Sequence, residues 1–308
     1  FLAATLFTTA FDLQFEGKGE RSALKKLPPS QSAPPSLDHD RSKKRLVETA
    51  GKDYLRELKI TDASGAVLKS AQDKYRQIDK YIEILDSLVK DIPPARLKKI
   101  VDMGAGKGYL TFALYDHLHN TRGLEVEITG VEYRADLVEL CNGIARRSGF
   151  DGLSFVRGSI DSFDAGGANV LIALHACDTA TDDAIAKGIE AGAELIVVAP
   201  CCHKQIRREM EKAGKENDLE FLLRHGIFME RQAEMVTDGI RALILEYCGY
   251  AVKVFEFISD AHTPKNVLIV ATRRTHAAKR DPVLLERIKE AKSCFGIGNH
   301  YLEGRVGI

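Results

Sequence analysis

From Ile100 onward, short apolar runs alternate with stretches in which apolar residues recur at helical spacing. Because strands that alternate with helices form parallel sheets covered on both faces, this pattern predicts an α/β fold with a seven-stranded, mostly parallel, Rossmann-like sheet. The last two runs flank a short polar connection, which indicates an antiparallel hairpin. The predicted strands cover residues 100–103, 126–132, 153–157, 169–174, 194–199, 251–258 and 266–272.

The region before the first strand predicts a helical N-terminal extension. Lys69 to Val89 carries apolar residues at helical spacing and predicts a helix. Residues 1 to about 16 alternate weakly, which favours a strand or hairpin, and the proline-rich stretch from 17 to about 36 indicates a linker or ordered loop. We expect three parts: the extension with its linker at 1–70, the main domain at 71–275, and a C-terminal helical tail at 276–308.

Charge and cysteine usage limit the class of protein. The net charge is zero, with 44 basic and 44 acidic residues. Basic residues exceed acidic ones by 19 to 14 in residues 1–100 and by 10 to 6 in 251–308, whereas 101–250 holds 15 against 24. The basic excess at both ends permits a polyanionic substrate there. This excess is far smaller than that of a dedicated nucleic-acid-binding protein. With no C-x-x-C pair and no apolar run long enough to span a bilayer, we expect a cytoplasmic protein without a membrane partner.

A glycine-rich turn links the first predicted strand to the helical pattern at 110–118. It reads D-x-G-x-G-x-G, with the carboxylate at Asp102 and the glycines at 104, 106 and 108. Helix-start N–H groups at the carboxyl edge of a sheet form a site for a nucleotide-like ligand. Tyr109 stands where the dinucleotide fingerprint needs glycine or alanine, and the P-loop Gly-Lys-Ser/Thr is absent. The turn resembles the first motif of class I S-adenosyl-L-methionine (SAM) methyltransferases; the alternative is a tight turn without a ligand.

The strand ends around this turn supply the other cofactor residues. Glu132 ends the second strand, 24 residues after Gly108, a suitable distance for an acid that receives both ribose hydroxyls. Asp102 is expected near the methionine ammonium group, Tyr133 on the adenine, and the Ile160 backbone at the adenine edge. Residues at the start of the 69–89 helix either close over the cofactor or form an ordinary helix surface. The expected cofactor-binding residues are Lys74, Gln77, Asp102, Gly104, Gly106, Gly108, Tyr109, Glu132, Tyr133, Ser159, Ile160, Asp161 and Leu174.

Polar clusters follow the fourth and fifth strands, at the edge where open parallel sheets bind substrates. A ribose hydroxyl acceptor benefits from a base, for which His175, Asp178 and His203 are the candidates. The loop after the fifth strand is expected to shape the acceptor pocket with Cys202 and His203 facing the substrate, so Cys202 is the fourth candidate catalytic residue. A structural histidine at 175 and a helix cap at Asp178 are the alternatives. A redox or nucleophilic cysteine is a further alternative for the loop at 201–202.

Two features of this loop bear on metals and phosphates. Cys201 and Cys202 are adjacent, a poor match to the spacing of tetrahedral zinc sites, so no metal is expected. Lys204, Arg207 and Arg208 follow, and they either meet substrate phosphates or form a solvated helix face.

Five motifs together resemble a methyltransferase-domain family whose relatives include eukaryotic tRNA 2′-O-methyltransferases of the acceptor stem. Glutathione-transferase C-terminal-domain-containing proteins carry a similar domain. The likeness covers about residues 74–273. Its motifs are D-x-G-x-G-x-G from Asp102, L-H-A-C-D at 174–178, A-P-C-C-H-K at 199–204, T-D-x-x-R at 237–241 and T-P-K-N at 263–266.

The resemblance implies a SAM-dependent methyltransferase with SAM as cofactor and, through its tRNA relatives, an RNA substrate (tRNA or rRNA) and a role in RNA modification. Those tRNA enzymes carry N-terminal Cys/His zinc modules, whereas residues 1–100 here contain no cysteine. The alternatives are a small-molecule or protein methyltransferase of the same fold and a non-catalytic SAM-binding module. The glycine spacing disfavours a nicotinamide-dependent oxidoreductase.

Overall fold

A computed structural model of the chain describes residues 3–18, 21–34, 45–174, 176–213, 220–257, 266–274 and 280–308. The chain falls into two compact units, Phe1–Lys44 and Arg45–Ile308. The candidate residue His175 and most of the T-P-K-N motif lie outside the described residues.

The first unit contains an antiparallel meander of three strands, β1 (Ala3–Leu6), β2 (Asp12–Lys18) and β3 (Arg21–Leu27). The hairpin expected near the N-terminus is therefore present. The third strand lies inside the stretch that we predicted as a linker, because its apolar and basic residues alternate too weakly to outweigh the prolines that follow. Among the described residues of the predicted extension, helix is limited to Lys69–Ala71 and α1 (Asp53–Glu57).

The second unit is built on a seven-stranded sheet with the order β6-β5-β4-β7-β8-β10-β9. All neighbours are parallel except β10, which is antiparallel to both β8 and β9. The predicted sheet and its final hairpin are confirmed. The strands are β4 (Lys99–Met103), β5 (Glu127–Glu132), β6 (Leu153–Arg157), β7 (Val170–Ala173), β8 (Leu195–Val198), β9 (Tyr250–Glu256) and β10 (Val267–Arg273).

Helices cover both faces of this sheet. Successive strand residues point to opposite faces, so Ile100 belongs to one apolar cluster and Val101 to the other. Among the helices of the described ranges, none combines the length and the apolar character that crossing a lipid bilayer requires. The remaining α-helices are α2 (Gln72–Val89), α3 (Tyr109–Tyr115), α4 (Ala135–Arg147), α5 (Thr179–Glu190), α6 (Lys204–Ala213), α7 (Glu220–Leu223), α8 (Gly226–Tyr247), α9 (Pro282–Cys294) and α10 (Tyr301–Val306). A 3₁₀ turn at Pro94–Arg96 precedes β4, and a π-helical segment at Asp116–Thr121 continues α3.

Segments that we placed outside the main domain pack against it. Tyr54 and Leu55 of α1 are buried in the cluster that contains α2 and α3, and the Tyr54 ring stacks on Phe112 at 5.9 Å. On the opposite face, Ile288 of α9 and Leu302 of α10 are buried in the second cluster. The flanks on both sides of the predicted 71–275 domain thus contribute to its core.

Candidate active site

A cleft of about 790 Å³ opens at the carboxyl edge of the sheet. Its volume lies within the range of small-ligand sites. It is bordered by 12 of the 13 expected cofactor-binding residues, all except Gly108. The other lining residues are Ile78, Tyr81, Ala105, Lys107, Leu110, Val131, Arg134, Gly158, Ala180, Asp183, Ala199, Pro200, Cys201 and Phe257.

The glycine turn forms the floor of the cleft. Gly106 has φ of +59°, and a Cβ there would meet nothing within 4 Å, so glycine is required by the backbone conformation. Its N–H donates a hydrogen bond of 2.9 Å to Oε2 of Glu132. Gly108 has φ of +70°, and its Cβ would lie 2.8 Å from Cζ of Phe155. Gly108 therefore allows α3 to pack closely on the sheet, which is a different role from the cofactor contact that we predicted.

Asp102 lies at the end of β4 and is only 6% exposed. Its Oδ2 accepts a hydrogen bond of 2.6 Å from Oγ1 of Thr111. Burial raises the pKa of Asp102 to about 6, and the Thr111 bond offsets only part of that effect. Within the described part of the chain, no basic side chain forms an ion pair with this carboxyl group. A cationic ligand group would favour its ionised form, so the site fits an ammonium.

Glu132 ends the neighbouring strand β5 and borders the same cleft. Its Oε1 accepts hydrogen bonds of 3.0 Å from both the backbone N–H and Nε of Arg134. Burial acts to raise the pKa of Glu132, but the bonds from Arg134 and Gly106 outweigh it and leave the pKa below its usual value. The carboxylate is therefore ionised at neutral pH and held in place, as a hydrogen-bond acceptor for two hydroxyls requires.

One face of α2 closes the cleft. Lys74, Gln77, Ile78 and Tyr81 follow the spacing i, i+3, i+4 and i+7 and all line the cleft. The Lys74 ammonium lies 5.4 Å from the centroid of the Tyr109 ring, and burial lowers the pKa of Lys74. Only Lys74 and Gln77 were predicted from the sequence, although the same helical periodicity also indicates Ile78 and Tyr81.

Tyr81 is the most notable residue that we missed. Its hydroxyl is buried and has no hydrogen-bond partner among the residues that the structure describes. Burial, and then the charge of Asp102, raise its pKa well above the usual value. Because a buried unpaired hydroxyl costs free energy, its position at the cleft indicates a ligand partner.

The predicted adenine end of the cleft lies at the ends of β5 and β6. Tyr133 is exposed there, with its ring free to pack on a planar ligand. Ser159, Ile160 and Asp161 follow β6 and form the opposite wall. Oγ of Ser159 lies 2.6 Å from Oγ of Ser162, and this hydrogen bond stabilises the loop that follows β6.

At the acceptor edge, Asp178 links two loops. It has φ of +55° and ψ of −124°, an unusual conformation for a residue other than glycine. It occupies the N-cap position of α5, but its Oδ1 accepts a hydrogen bond of 3.0 Å from the N–H of Gln205 in α6. Its carboxylate is thus a tether between the two loops, and Asp178 lies outside the cleft lining.

His203 and Cys202 do not border the cleft. Nε2 of His203 is 3.2 Å from Oδ1 of Asp238, and its Nδ1 is buried without a partner within the described ranges. Cys201 borders the cleft in place of the predicted Cys202 and His203. Ala199, Pro200 and Cys201 all border the cleft, whereas the buried His203 side chain is directed to Asp238 of α8.

Arg241 of α8 anchors this edge from the interior. It is 1% exposed, and its guanidinium donates to both carboxylate oxygens of Asp182, at 2.7 and 3.0 Å. It also donates to Oδ1 of Asp238 and to the carbonyl of Asp178. The T-D-x-x-R motif at 237–241 therefore contributes to a buried ion-pair network that joins α5, α8 and the loop after β7.

Part of the chain is similar to a known protein family. Residues 73–209 match a family model described as a methyltransferase domain. The matched segment is similar to methyltransferase domains and makes up less than half of the chain. It spans the sheet from β4 to β8, the glycine turn, and both acidic strand ends.

Curated relatives share part of the chain. Glutathione S-transferase C-terminal domain-containing proteins of Homo sapiens and Macaca fascicularis are each 25% identical to it over 198 residues. The match covers 56% of this chain and 29% of each relative. The chain therefore spans less than a third of the length of these relatives.

Solved structures with similarity to the chain include the Pyrococcus abyssi tRNA (uracil-54, C5)-methyltransferase in complex with S-adenosyl-L-homocysteine. It is 15% identical, with a TM-score of 0.35, over 63% of this chain and 38% of that one. The magnesium protoporphyrin IX methyltransferase of Synechocystis PCC 6803 is 13% identical, with a TM-score of 0.43, over 72% of this chain and 98% of that one.

Proposed function

We propose that the chain transfers a methyl group from SAM to a structured RNA. The observation that carries the methyl-transfer part is the shared cleft of Asp102 and Glu132, which border it from neighbouring strands on either side of the glycine turn. SAM, when bound, supplies an electrophilic methyl group on its sulfonium.

Three residues of the cleft would bind different parts of SAM. Asp102, buried and without a basic partner in the described residues, would hold the amino group of the methionine part. Glu132 would accept hydrogen bonds from the ribose hydroxyls, and Tyr133 would pack on the adenine. Among the described residues, only Thr111 donates a side-chain hydrogen bond to Asp102. The carboxyl group therefore has room for a second, cationic partner, which the ammonium group of SAM would supply.

The acceptor would enter between the loops that follow β7 and β8. Leu174, Pro200 and Cys201 border the cleft there. Methyl transfer depends chiefly on alignment of the nucleophile with the methyl group, and rigid walls provide that alignment. Asp178 and His203 are engaged in hydrogen bonds away from the cleft, so we expect their replacement to act through the loops rather than through proton transfer.

Two observations support RNA as the acceptor. The motifs resemble a family that includes tRNA methyltransferases, as described above. In addition, Lys204 and Arg208 are exposed and one helical turn apart at the start of α6, directly after the acceptor loop. Arg207 is paired with Glu211 and Glu230 and does not add to this basic pair.

The second candidate is a small-molecule methyltransferase of the same fold. It is favoured by the acidic excess of residues 101–250, which would repel a polyanion from the centre of the domain. The cytoplasmic location stays a prediction from the sequence.

Two measurements test the proposal. Calorimetry with SAM and with NAD separates the cofactor classes, and undetectable SAM binding would reject the methyl-transfer proposal. Tritiated methyl incorporation into RNA, protein and metabolite pools then separates the acceptors. We expect label in RNA, and we expect the double variant Lys204→Glu/Arg208→Glu to lose it while SAM affinity is retained. The matched control is Lys253→Glu/Arg287→Glu; equal loss in both would contradict the role of the basic pair.

A further inference from the structure

Three cysteine sulfur atoms meet at the acceptor edge. Cys177 follows β7, whereas Cys201 and Cys202 follow β8. Sγ of Cys201 lies 3.1 Å from Sγ of Cys177 and 3.7 Å from Sγ of Cys202, and all three sulfurs lie within 4.8 Å of one another. In the part of the chain that the structure describes, this is the one group of three His, Cys, Asp or Glu side chains with metal-binding spacing.

The spacing of the sulfurs suits a thiophilic ion. Zn²⁺ binds thiolates at about 2.3 Å in a tetrahedron, which places the sulfurs roughly 3.8 Å apart. The separations of 3.1 and 3.7 Å lie just below that value and the third does not exceed 4.8 Å, so shifts of about 1 Å or less would bring the three sulfurs onto one ion. Such shifts are within the reach of cysteine χ1 rotations.

We propose that Cys177, Cys201 and Cys202 bind a thiophilic divalent metal ion such as Zn²⁺ at the wall of the cleft. Three protein ligands leave one coordination position open, as in zinc sites that exchange a ligand. Cys177 is exposed, which gives an ion access from solvent, and Cys201 lines the cleft. An ion held here stands beside the space assigned to the acceptor, and its open position can take a sulfur, nitrogen or oxygen atom.

The surrounding structure holds the two loops together before any ion binds. Oδ1 of Asp178, next to Cys177, accepts from the N–H of Gln205 in the helix that follows Cys202. The buried Arg241 donates to the carbonyl of Asp178. A site whose ligands come from separate loops needs such supporting contacts, because they set the ligand distances in advance.

Zinc binding to the reduced, metal-free protein tests this proposal. We expect calorimetry to show one Zn²⁺ per chain, with release of protons from the thiols. Cd²⁺ in place of Zn²⁺ should produce a thiolate-to-metal charge-transfer absorbance. The variants Cys177→Ser and Cys201→Ser should each weaken Zn²⁺ binding by more than about tenfold. The control Cys294→Ser, which removes an exposed cysteine outside the cluster, should bind Zn²⁺ like the unmodified chain.

Three results would overturn the proposal: no saturable Zn²⁺ binding, Zn²⁺ binding that is unchanged in both cluster variants, or a disulfide between Cys177 and Cys201 that forms with peroxide in a chain that binds no Zn²⁺ when reduced. Thermal unfolding and SAM calorimetry of Cys177→Ser confirm that a loss of metal binding does not reflect a loss of fold. The readout is metal binding itself, so the outcome is independent of whether the chain transfers methyl groups.

Discussion

The buried carboxyl group of Asp102 makes stability depend on pH in a way that can be calculated. Its pKa is about 6 in the folded protein, against 3.8 as the ordinary value. At 1.36 kcal/mol per pKa unit, this difference of about 2.2 units corresponds to roughly 3 kcal/mol. The folded state binds more protons than the unfolded state between these pKa values, so the stability contribution of Asp102 falls as pH rises through that window.

Urea unfolding of the chain and of the variant Asp102→Asn measures the contribution of Asp102 to the free energy of unfolding. The contributions of the other titrating groups cancel in the difference between the two free energies of unfolding. The asparagine side chain of this variant retains an acceptor for the Thr111 hydroxyl. Between pH 5 and pH 8, we expect the unmodified chain to lose about 1.4 kcal/mol relative to the variant, with most of the change below pH 7. A difference that does not vary with pH would refute the assignment of a raised pKa to Asp102.

The same carboxyl group should make SAM affinity depend on pH. An ammonium group prefers the ionised form of Asp102, so binding should weaken as pH falls below about 6, by up to about tenfold per pH unit. Asp102→Asn should bind SAM weakly at every pH. If the variant binds SAM like the unmodified chain, Asp102 does not contact the amino group.

Three further predictions concern the cleft and its support. Tyr81→Phe should weaken SAM binding by about 1 kcal/mol without lowering stability, because the hydroxyl lacks a partner among the described residues; calorimetry and urea unfolding together check this. Gly108→Ala should cost more stability than Gly106→Ala, since both have positive φ but only the first meets a ring at 2.8 Å; equal losses in urea unfolding would contradict this. Arg241→Met should lower the free energy of unfolding by about 3–5 kcal/mol, because it leaves the carboxylate of Asp182 buried and unpaired. A loss below about 1 kcal/mol in the same assay would show that the network is dispensable.

The sheet and the donor end of the cleft could be predicted because their signals are local. Buried parallel strands are continuous apolar runs, such as residues 195–198. The glycine turn follows β4, the first strand of the sheet, directly in the sequence. The carboxyl ends of parallel strands share one edge, so Asp102 and Glu132 had to lie near each other. Gly108 was assigned to the ligand because motif spacing does not distinguish a glycine that faces a cofactor from one that faces a ring.

The acceptor edge could not be predicted to the same depth, because its contacts are long-range. Cys177 and Cys201 are 24 residues apart, and their spacing gives no metal signature. The side-chain partner of Asp178 is on α6 rather than on its own helix, and Arg241 pairs with a carboxylate 59 residues away. Such pairs follow from how helices pack on the sheet, which local patterns leave open.

Asp178 also limits how this protein can change its substrate. Its backbone stays at a positive φ that costs about 1–3 kcal/mol, and the hydrogen bonds to α6 and α8 offset that cost. An insertion or exchange in the loop after β7 that breaks either bond would also release the start of α6. New acceptor specificity should therefore arise more readily through substitutions at exposed positions beside the acceptor loops, such as Lys204 and Arg208, than through remodelling of these two loops.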